Sequence, residues 1–133
     1  SGRFVTEAPD HARPAQEVSV RPMLQELGAE DDVRAAIYLR GATALVQGPR
    51  GATAERTARA VRELVIEART STRRLRLGQP ASVLLEGSFG SLLLSPGEQG
   101  TSAVWCSGVI KRRHEELLRD LSDLAVADLG DEA

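Results

Sequence analysis

One cysteine and one of the two histidines are the residues of this chain best suited to nucleophilic chemistry. Cys106 and His114 are separated by only eight positions, and a thiolate beside an imidazole base is a common catalytic pair. Cys106, however, belongs to an apolar segment in which it alternates with Val104 and Ser102, and His114 falls on the apolar stripe of a predicted helix. This pattern favours a small buried thiol and a partly buried imidazole over a catalytic pair.

Two glycine-containing segments come close to known catalytic motifs without matching them. Residues 48–53 (Gly-Pro-Arg-Gly-Ala-Thr) lack the lysine and the glycine spacing of a phosphate-binding loop. Residues 86–90 (Glu-Gly-Ser-Phe-Gly) have Glu where a nucleophile elbow needs its first glycine, and they are flanked by two strands rather than by a strand and a helix. Both segments are predicted to be turns, so we expect no enzyme activity, no catalytic residues and no cofactor.

Composition narrows the class of protein further. A single cysteine cannot form an internal disulfide or a cysteine-based zinc site, and two histidines make a histidine-rich metal site improbable. The chain has no apolar run long enough for a membrane helix and no signal-peptide pattern, so we expect a cytoplasmic protein without membrane insertion. A net charge of −2 and an aromatic content of 3% disfavour nucleic-acid binding.

Apolar periodicity predicts the element order α-β-β-α-β-β-β-α. The predicted helices are 18–28, 53–77 and 109–126, and the predicted strands are 33–40, 43–47, 81–87, 90–95 and 101–107. We therefore expect an α+β domain over residues 18–126, built on a single antiparallel five-stranded sheet with helices packed on it. A flexible N-terminal arm (1–17) and an acidic C-terminal tail (127–133) are expected on either side.

Three local features carry further expectations. Pro22 is placed in the first turn of the first helix, where proline is tolerated. The acidic residues 30–32 are placed in a solvated loop. The basic run 111–113 begins the last helix, and its default partners are Glu115 and Glu116.

The second half of the chain resembles the Roadblock/LC7 family of dynein light chains, bacterial gliding-protein partners and small-GTPase regulators. The resemblance is carried by residues 81–95 (Ala-Ser-Val-Leu-Leu-Glu-Gly-Ser-Phe-Gly-Ser-Leu-Leu-Leu-Ser) and 101–106 (Thr-Ser-Ala-Val-Trp-Cys), and it extends over residues 18–125. The chain departs from the family at residues 39–42 (Leu-Arg-Gly-Ala), where members carry an Asp-x-x-Gly-type turn. The resemblance implies a roadblock/profilin-like fold, and we expect a bacterial protein.

The resemblance also implies a dimer that docks a Ras-like GTPase or another protein subunit. In such a dimer the third strands meet edge to edge and the central helices pack side by side, which would make residues 81–87 an edge strand. Applied to this chain, and assuming a homodimer, the interface residues are Val61, Leu64, Val65, Ala68, Ser82, Val83, Leu84, Leu85 and Glu86. Basic residues of the central and last helices form the candidate partner surface: Arg59, Arg62, Arg69, Lys111, Arg112 and Arg113.

Three functions are consistent with the sequence. The leading hypothesis is a non-enzymatic dimeric interaction module that regulates or scaffolds a small GTPase. The second is a small-molecule sensor domain of the profilin-, PAS- or longin-like kind, which requires an apolar cavity between sheet and helix. The third is a structural subunit of a larger complex.

Overall fold

The five strands and three helices follow the predicted order. The computed structural model describes the backbone of residues 12–97 and 100–132, and the side chains of residues 20–97 and 100–122. The helices are α1 (Ala12–Gly28), α2 (Gly51–Arg74) and α3 (Arg112–Glu132). The strands are β1 (Val33–Arg40), β2 (Thr43–Gln47), β3 (Val83–Gly87), β4 (Gly90–Pro96) and β5 (Thr101–Cys106).

The strands form one antiparallel sheet in the order β2-β1-β5-β4-β3. The β1–β2 and β3–β4 hairpins are joined by β5, which pairs with β1 on one side and with β4 on the other. The α+β class with a single five-stranded sheet is thereby confirmed. So is the prediction that the third strand is an edge strand, because β3 and β2 are the two ends of the sheet.

Helices cover both faces of the sheet, because β1 is apolar on both sides. Ala36 and Tyr38 face α1 and α3 and belong to a core that includes Leu24 and Leu118. Alternate residues of β1, such as Ile37, face α2. This alternation follows from the two-residue period of a strand.

Both hairpins close through turns of two residues, at 41–42 and 88–89. In such a hairpin the residues flanking the turn form a hydrogen-bonded pair, and the next residue on each strand directs its N–H and C=O away from the partner. The outward-directed backbone groups are therefore those of Leu84 and Glu86 in β3, and of Ala44 and Val46 in β2.

Gly90, which begins β4, approaches the next strand, β5, closely, since a Cβ there would lie 2.5 Å from the carbonyl oxygen of Cys106.

The first helix differs from its prediction in two respects. It begins at Ala12, so residues 12–17 of the predicted flexible arm are helical, whereas residues 1–11 lie outside the described part of the chain. Pro14 falls in the first turn, where a missing N–H has no consequence. Pro22 lies inside the helix and not in its first turn. The buried packing of Val20, Leu24 and Leu27 against the sheet offsets the backbone hydrogen bond that Pro22 removes.

Other boundaries shift by a few residues. The predicted central helix 53–77 begins at Gly51 and ends at Arg74, and Arg76 just beyond it has a φ of +59°. The third strand begins at Val83, so Ser82 precedes it. The last helix begins at Arg112 and continues to Glu132, through most of the predicted acidic tail. No helix among the described residues is both long and apolar enough to cross a membrane.

Candidate interaction site

The edge strand β3 exposes leucine side chains on both faces of the sheet. Leu84 and Leu85 are 50% and 44% exposed, although a strand of this composition is normally at least half-buried. Val83 is partly buried, and Glu86 is exposed. Unpaired backbone groups and exposed leucines therefore coincide on one short strand, and this combination is typical of an edge that pairs with another chain.

An apolar row extends inward from this edge on the face that carries α2. Leu85 pairs with Leu92, and Leu92 pairs with Trp105, so the three side chains lie on the same face of adjacent strands. Leu92 and Trp105 are only partly buried. The guanidinium of Arg34 lies over the indole, 5.6 Å from the ring centroid, and completes the row.

The apolar stripe of α2 divides into two parts. Val61 and Val65 are 1% and 6% exposed because they pack against the sheet of their own chain, as does Ala58. Leu64 and Ala68 are partly buried, whereas Ile66, on the opposite side of the helix from both, is 63% exposed. Of the four helix residues predicted at the interface, only Leu64 and Ala68 leave surface available to a second molecule.

Two arginines of the candidate partner surface fasten α2 to the hairpin turns. Arg62 donates hydrogen bonds to the carbonyl oxygens of Gly41 and Thr43, and Arg69 donates to that of Gly97 at 3.0 Å. Arg59 is exposed and forms no hydrogen bond or ion pair with any described residue. These two tethers position α2 across the ends of β1 and β4.

The basic run 111–113, at the start of α3, lies at the other end of strand β1 from Arg62. Lys111 Nζ is 3.1 Å from an Asp32 carboxylate oxygen, and Arg113 pairs with both Glu30 and Asp32. The eight residues of β1 separate this cluster from the turns that hold Arg62, a distance of about 26 Å at the usual strand rise. The six candidate basic residues therefore form two groups, one on α2 and one at the start of α3, and do not make a single surface.

The predicted solvated loop 30–32 is in part an anchoring site. Glu30 and Asp32 accept from the basic run, whereas the expected pairing of that run with Glu115 and Glu116 is limited to one Arg112–Glu116 contact at 3.9 Å among the described residues. Periodicity could not indicate these partners, because they are some 80 positions apart in the chain.

Cys106, His114 and Asp32 lie in a line that resembles a catalytic triad. Cys106 Sγ is 3.6 Å from His114 Nδ1, and His114 Nε2 is 3.1 Å from an Asp32 oxygen. The backbone N–H of Lys111 donates to the same Nδ1 at 3.0 Å, so that nitrogen is an acceptor already in use and the proton lies on Nε2. Both Cys106 and His114 are fully buried. The arrangement fixes the start of α3 against β5 and offers no base to the thiol.

Burial also keeps the thiol protonated. Desolvation, followed by the negative charge of Asp32, raises the pKa of Cys106 from 9.0 to about 11, although Lys111 and Arg113 act in the opposite direction.

We therefore expect Cys106 to be inert in the folded protein. At pH 8, iodoacetamide should modify the native thiol at least about a hundredfold more slowly than the unfolded thiol, since two pKa units remove that fraction of the thiolate and burial adds to it. Mass spectrometry after timed quenching, with and without urea, measures both rates. Comparable rates would show that Cys106 is accessible and would reopen the catalytic interpretation.

The Asp32 carboxylate is held in its ionised form. A hydrogen bond from Lys111 is the largest cause, with smaller contributions from the backbone and His114. They lower the pKa of Asp32 from 3.8 to about 2, although desolvation acts in the opposite direction.

Stability should consequently fall in acid. Because the pKa in the folded state lies below the unfolded value, the contribution of Asp32 is complete above about pH 4 and is lost as the pH falls towards 2. Urea unfolding at several pH values between 7 and 2.5 measures this, with Asp32→Asn as the comparison. The variant should be less stable at neutral pH and show a shallower decline below pH 4. Parallel curves would assign the acid sensitivity to other carboxylates.

Glu30, Asp32 and His114 bring one potential ligand atom each within 4.8 Å of one another, which is close enough for a metal ion. The two carboxylates, however, already neutralise Lys111 and Arg113. A divalent ion would have to displace both cations, so the trio is better described as an internal charge network.

Two grooves adjoin α2, and both are open to solvent. The larger, about 470 Å³, lies between β2 and α2 and is lined by Ala44 and Val46 of the strand and by Ala54 and Ala58 of the helix. The smaller, about 350 Å³, lies between α2 and the hairpin turns near Gly41. Neither is the enclosed cavity between sheet and helix that the sensor hypothesis requires.

Comparison with known proteins adds evidence on the fold. Neither a protein-family model nor a curated protein sequence matches the chain. It is similar to the crystal structure of a Roadblock/LC7 domain from Streptomyces avermitilis, with a TM-score of 0.71 and 18% sequence identity over 80% of this chain and 94% of that one. It is also similar to a structure described as MglB with tetrameric arrangement, with a TM-score of 0.65 and 14% identity over 86% of this chain and 93% of that one. The Roadblock/LC7 fold that the sequence resemblance implied is confirmed.

Proposed function

We propose that this Roadblock/LC7-type fold serves as a non-enzymatic, dimeric interaction module that binds a Ras-like GTPase and regulates or scaffolds it. The observation that supports the proposal best is the edge of β3, where free backbone groups meet exposed Leu84 and Leu85. Single exposed leucines are common on protein surfaces, but an unpaired strand edge continuous with an apolar row is not. A second copy of the chain would cover both the unpaired edge of β3 and the apolar row beside it.

The geometry of β3 favours one register for the pairing of two copies. If Leu85 lies on the twofold axis, the outward-directed groups of Leu84 face those of Glu86 in the second copy, and four intermolecular hydrogen bonds form. The two Leu85 side chains then meet on the α2 face and extend the apolar row from one sheet into the other. The joined sheet has ten strands.

The exposed part of α2 fits the same arrangement. Leu64 and Ala68 lie together on one flank of α2, and the sheet of the same chain covers them only in part. In the proposed dimer the two α2 helices pack side by side through these residues above the joined strands. The outer faces of the paired helices, with the exposed Arg59, are then available to a GTPase.

Two measurements test the proposal. Sedimentation equilibrium between 1 and 100 µM, concentrations chosen for the test, should give a dimer, and a strict monomer at the upper limit would contradict it. Calorimetric titration of a Ras-like GTPase from the same organism, loaded in turn with GDP and with a non-hydrolysable GTP analogue, should show binding that depends on the nucleotide. A dimer that binds neither form would leave a structural subunit as the function.

A further inference from the structure

Among the described residues, β2 is the second strand of the sheet that has no neighbour on one side, and its environment differs from that of β3. The groups directed away from β1 are the N–H and C=O of Ala44 and Val46, and the side chains of the same two residues form the floor of the 470 Å³ groove beneath α2. A strand laid against β2 would thus pair with these backbone groups and place every second side chain in the groove.

Nothing in β2 blocks such a strand. The sequence Thr-Ala-Leu-Val-Gln has no charged residue and no proline, and its register with β1 is unbroken by a bulge. Edges that must stay unpaired usually carry a lysine, a proline or a bulge. On the α2 side the groove is lined by Ala54 and Ala58, whose small side chains leave it unfilled.

The charge around the groove indicates the chemistry of the occupant. Its rim carries Arg59 and Arg62 but only one carboxylate, that of Glu55. Arg62 is engaged with backbone carbonyls, whereas Arg59 has no hydrogen-bonding or ionic partner in the described part of the chain. An acidic side chain beside Arg59 would form an ion pair with its guanidinium.

We propose that the free edge of β2 and the adjoining groove bind an extended acidic segment of a partner protein by strand addition. The segment pairs with Ala44 and Val46, places small or medium apolar side chains in the groove at alternate positions, and presents a carboxylate to Arg59. This site lies at the β2 edge of the sheet, and the proposed dimer uses the β3 edge. The partner segment and the second copy of the chain can therefore bind at the same time, and an experiment can disprove either proposal without affecting the other.

A random library of 12-residue peptides displayed on phage, panned against the immobilised full chain, provides the probe. Enriched peptides should show alternating apolar positions and at least one Asp or Glu, and their synthetic fluorescein-labelled forms can be titrated by anisotropy. Ala44→Pro, which removes one outward N–H at an edge that tolerates proline, should weaken binding by about tenfold or more. Ala44→Ser keeps the N–H and should bind as the original chain does.

A second pair of variants tests the charge. Arg59→Glu should weaken binding several-fold, whereas Arg56→Glu, on the same helix but outside the groove, should not. In NMR spectra the amide signals of Ala44 and Val46 should shift and become protected from exchange when the peptide binds.

Three results would overturn the proposal. One is that no peptide is enriched above the level obtained with Ala44→Pro; another is that enriched peptides bind both forms equally. The third is that Ala44→Pro lowers the mass of the peptide-free protein, which would assign the β2 edge to a second copy of the chain. A monomer of the unmodified chain that still binds the peptide would contradict the proposed dimer and leave this site intact.

Discussion

Glu86→Pro is expected to convert the dimer into monomers. The Glu86 N–H is directed away from β4, so proline at this position removes no hydrogen bond within the chain. In the proposed register it removes two of the four intermolecular hydrogen bonds, one from each copy, and inserts a ring where the second strand must approach. We expect the dimer to be weakened by at least about a hundredfold, or about 3 kcal/mol.

The measurement combines mass with a local probe. Sedimentation equilibrium gives the dissociation constant. The fluorescence of Trp105, the single tryptophan, reports on the apolar row beside β3, because Trp105 lies one strand from Leu92 on the same face. Dilution should shift the emission maximum of the original chain as the dimer dissociates. At every concentration, Glu86→Pro should show the spectrum that the original chain shows when dilute. Far-ultraviolet circular dichroism confirms that the variant is folded.

Ala44→Pro is the matched control, since it makes the same change at the other end of the sheet. It should leave the dimer intact. If Ala44→Pro gives monomers and Glu86→Pro remains dimeric, the copies join through β2. If neither substitution affects the mass, association does not use a strand edge at all.

Short-range pattern was sufficient to predict the strands, whereas the edge position of β3 was implied by the resemblance to the Roadblock/LC7 family. Two-residue turns at 41–42 and 88–89 determine which strands are neighbours, and the alternation in β1 shows that both of its faces are buried. The registers of the β3–β4 and β4–β5 pairs place Leu92 and Trp105 on the face of Leu85. The fold was therefore accessible from local chemistry.

Two features required information that periodicity does not contain. A stripe on α2 identifies its apolar side, but it cannot show that Val61 and Val65 are buried by the sheet of the same chain while Leu64 and Ala68 keep exposed surface. Likewise, the meeting of Asp32 with Lys111 and His114 depends on the pairing of β1 with β5, which brings together residues that are distant in the chain. Tertiary contacts also override the low helix propensity of Pro22 in α1.

His114→Ala is expected to be the most destabilising single change at the end of the sheet near Asp32. We expect a loss of about 3 to 4 kcal/mol in the free energy of unfolding. Most of it comes from the cavity left by a fully buried side chain, for which large-to-small substitutions usually cost about 2 to 5 kcal/mol. The remainder comes from the hydrogen bonds that the imidazole makes through both nitrogens.

The position of His114 in its helix explains the second contribution. Lys111 immediately precedes α3, and its N–H is one of the donors that a helix cannot satisfy internally. His114, three residues later, accepts from that N–H, as Glu or Gln does in a capping box. His114→Gln should therefore keep the cap, fill most of the cavity and cost about 1 to 2 kcal/mol.

Urea unfolding at pH 7 measures the free energy of unfolding of the original chain, His114→Ala and His114→Gln. Arg112→Ala serves as the control. Arg112 is the first residue of α3, its side chain is 90% exposed, and its one described ion pair, with Glu116, is long. Its removal should change the free energy of unfolding by less than about 0.5 kcal/mol. Equal losses for His114→Gln and His114→Ala would show that the imidazole itself, through Asp32, stabilises this end of the sheet. A loss below about 1 kcal/mol for His114→Ala would mean that Lys111 and Arg113 hold the start of α3 without a contribution from His114.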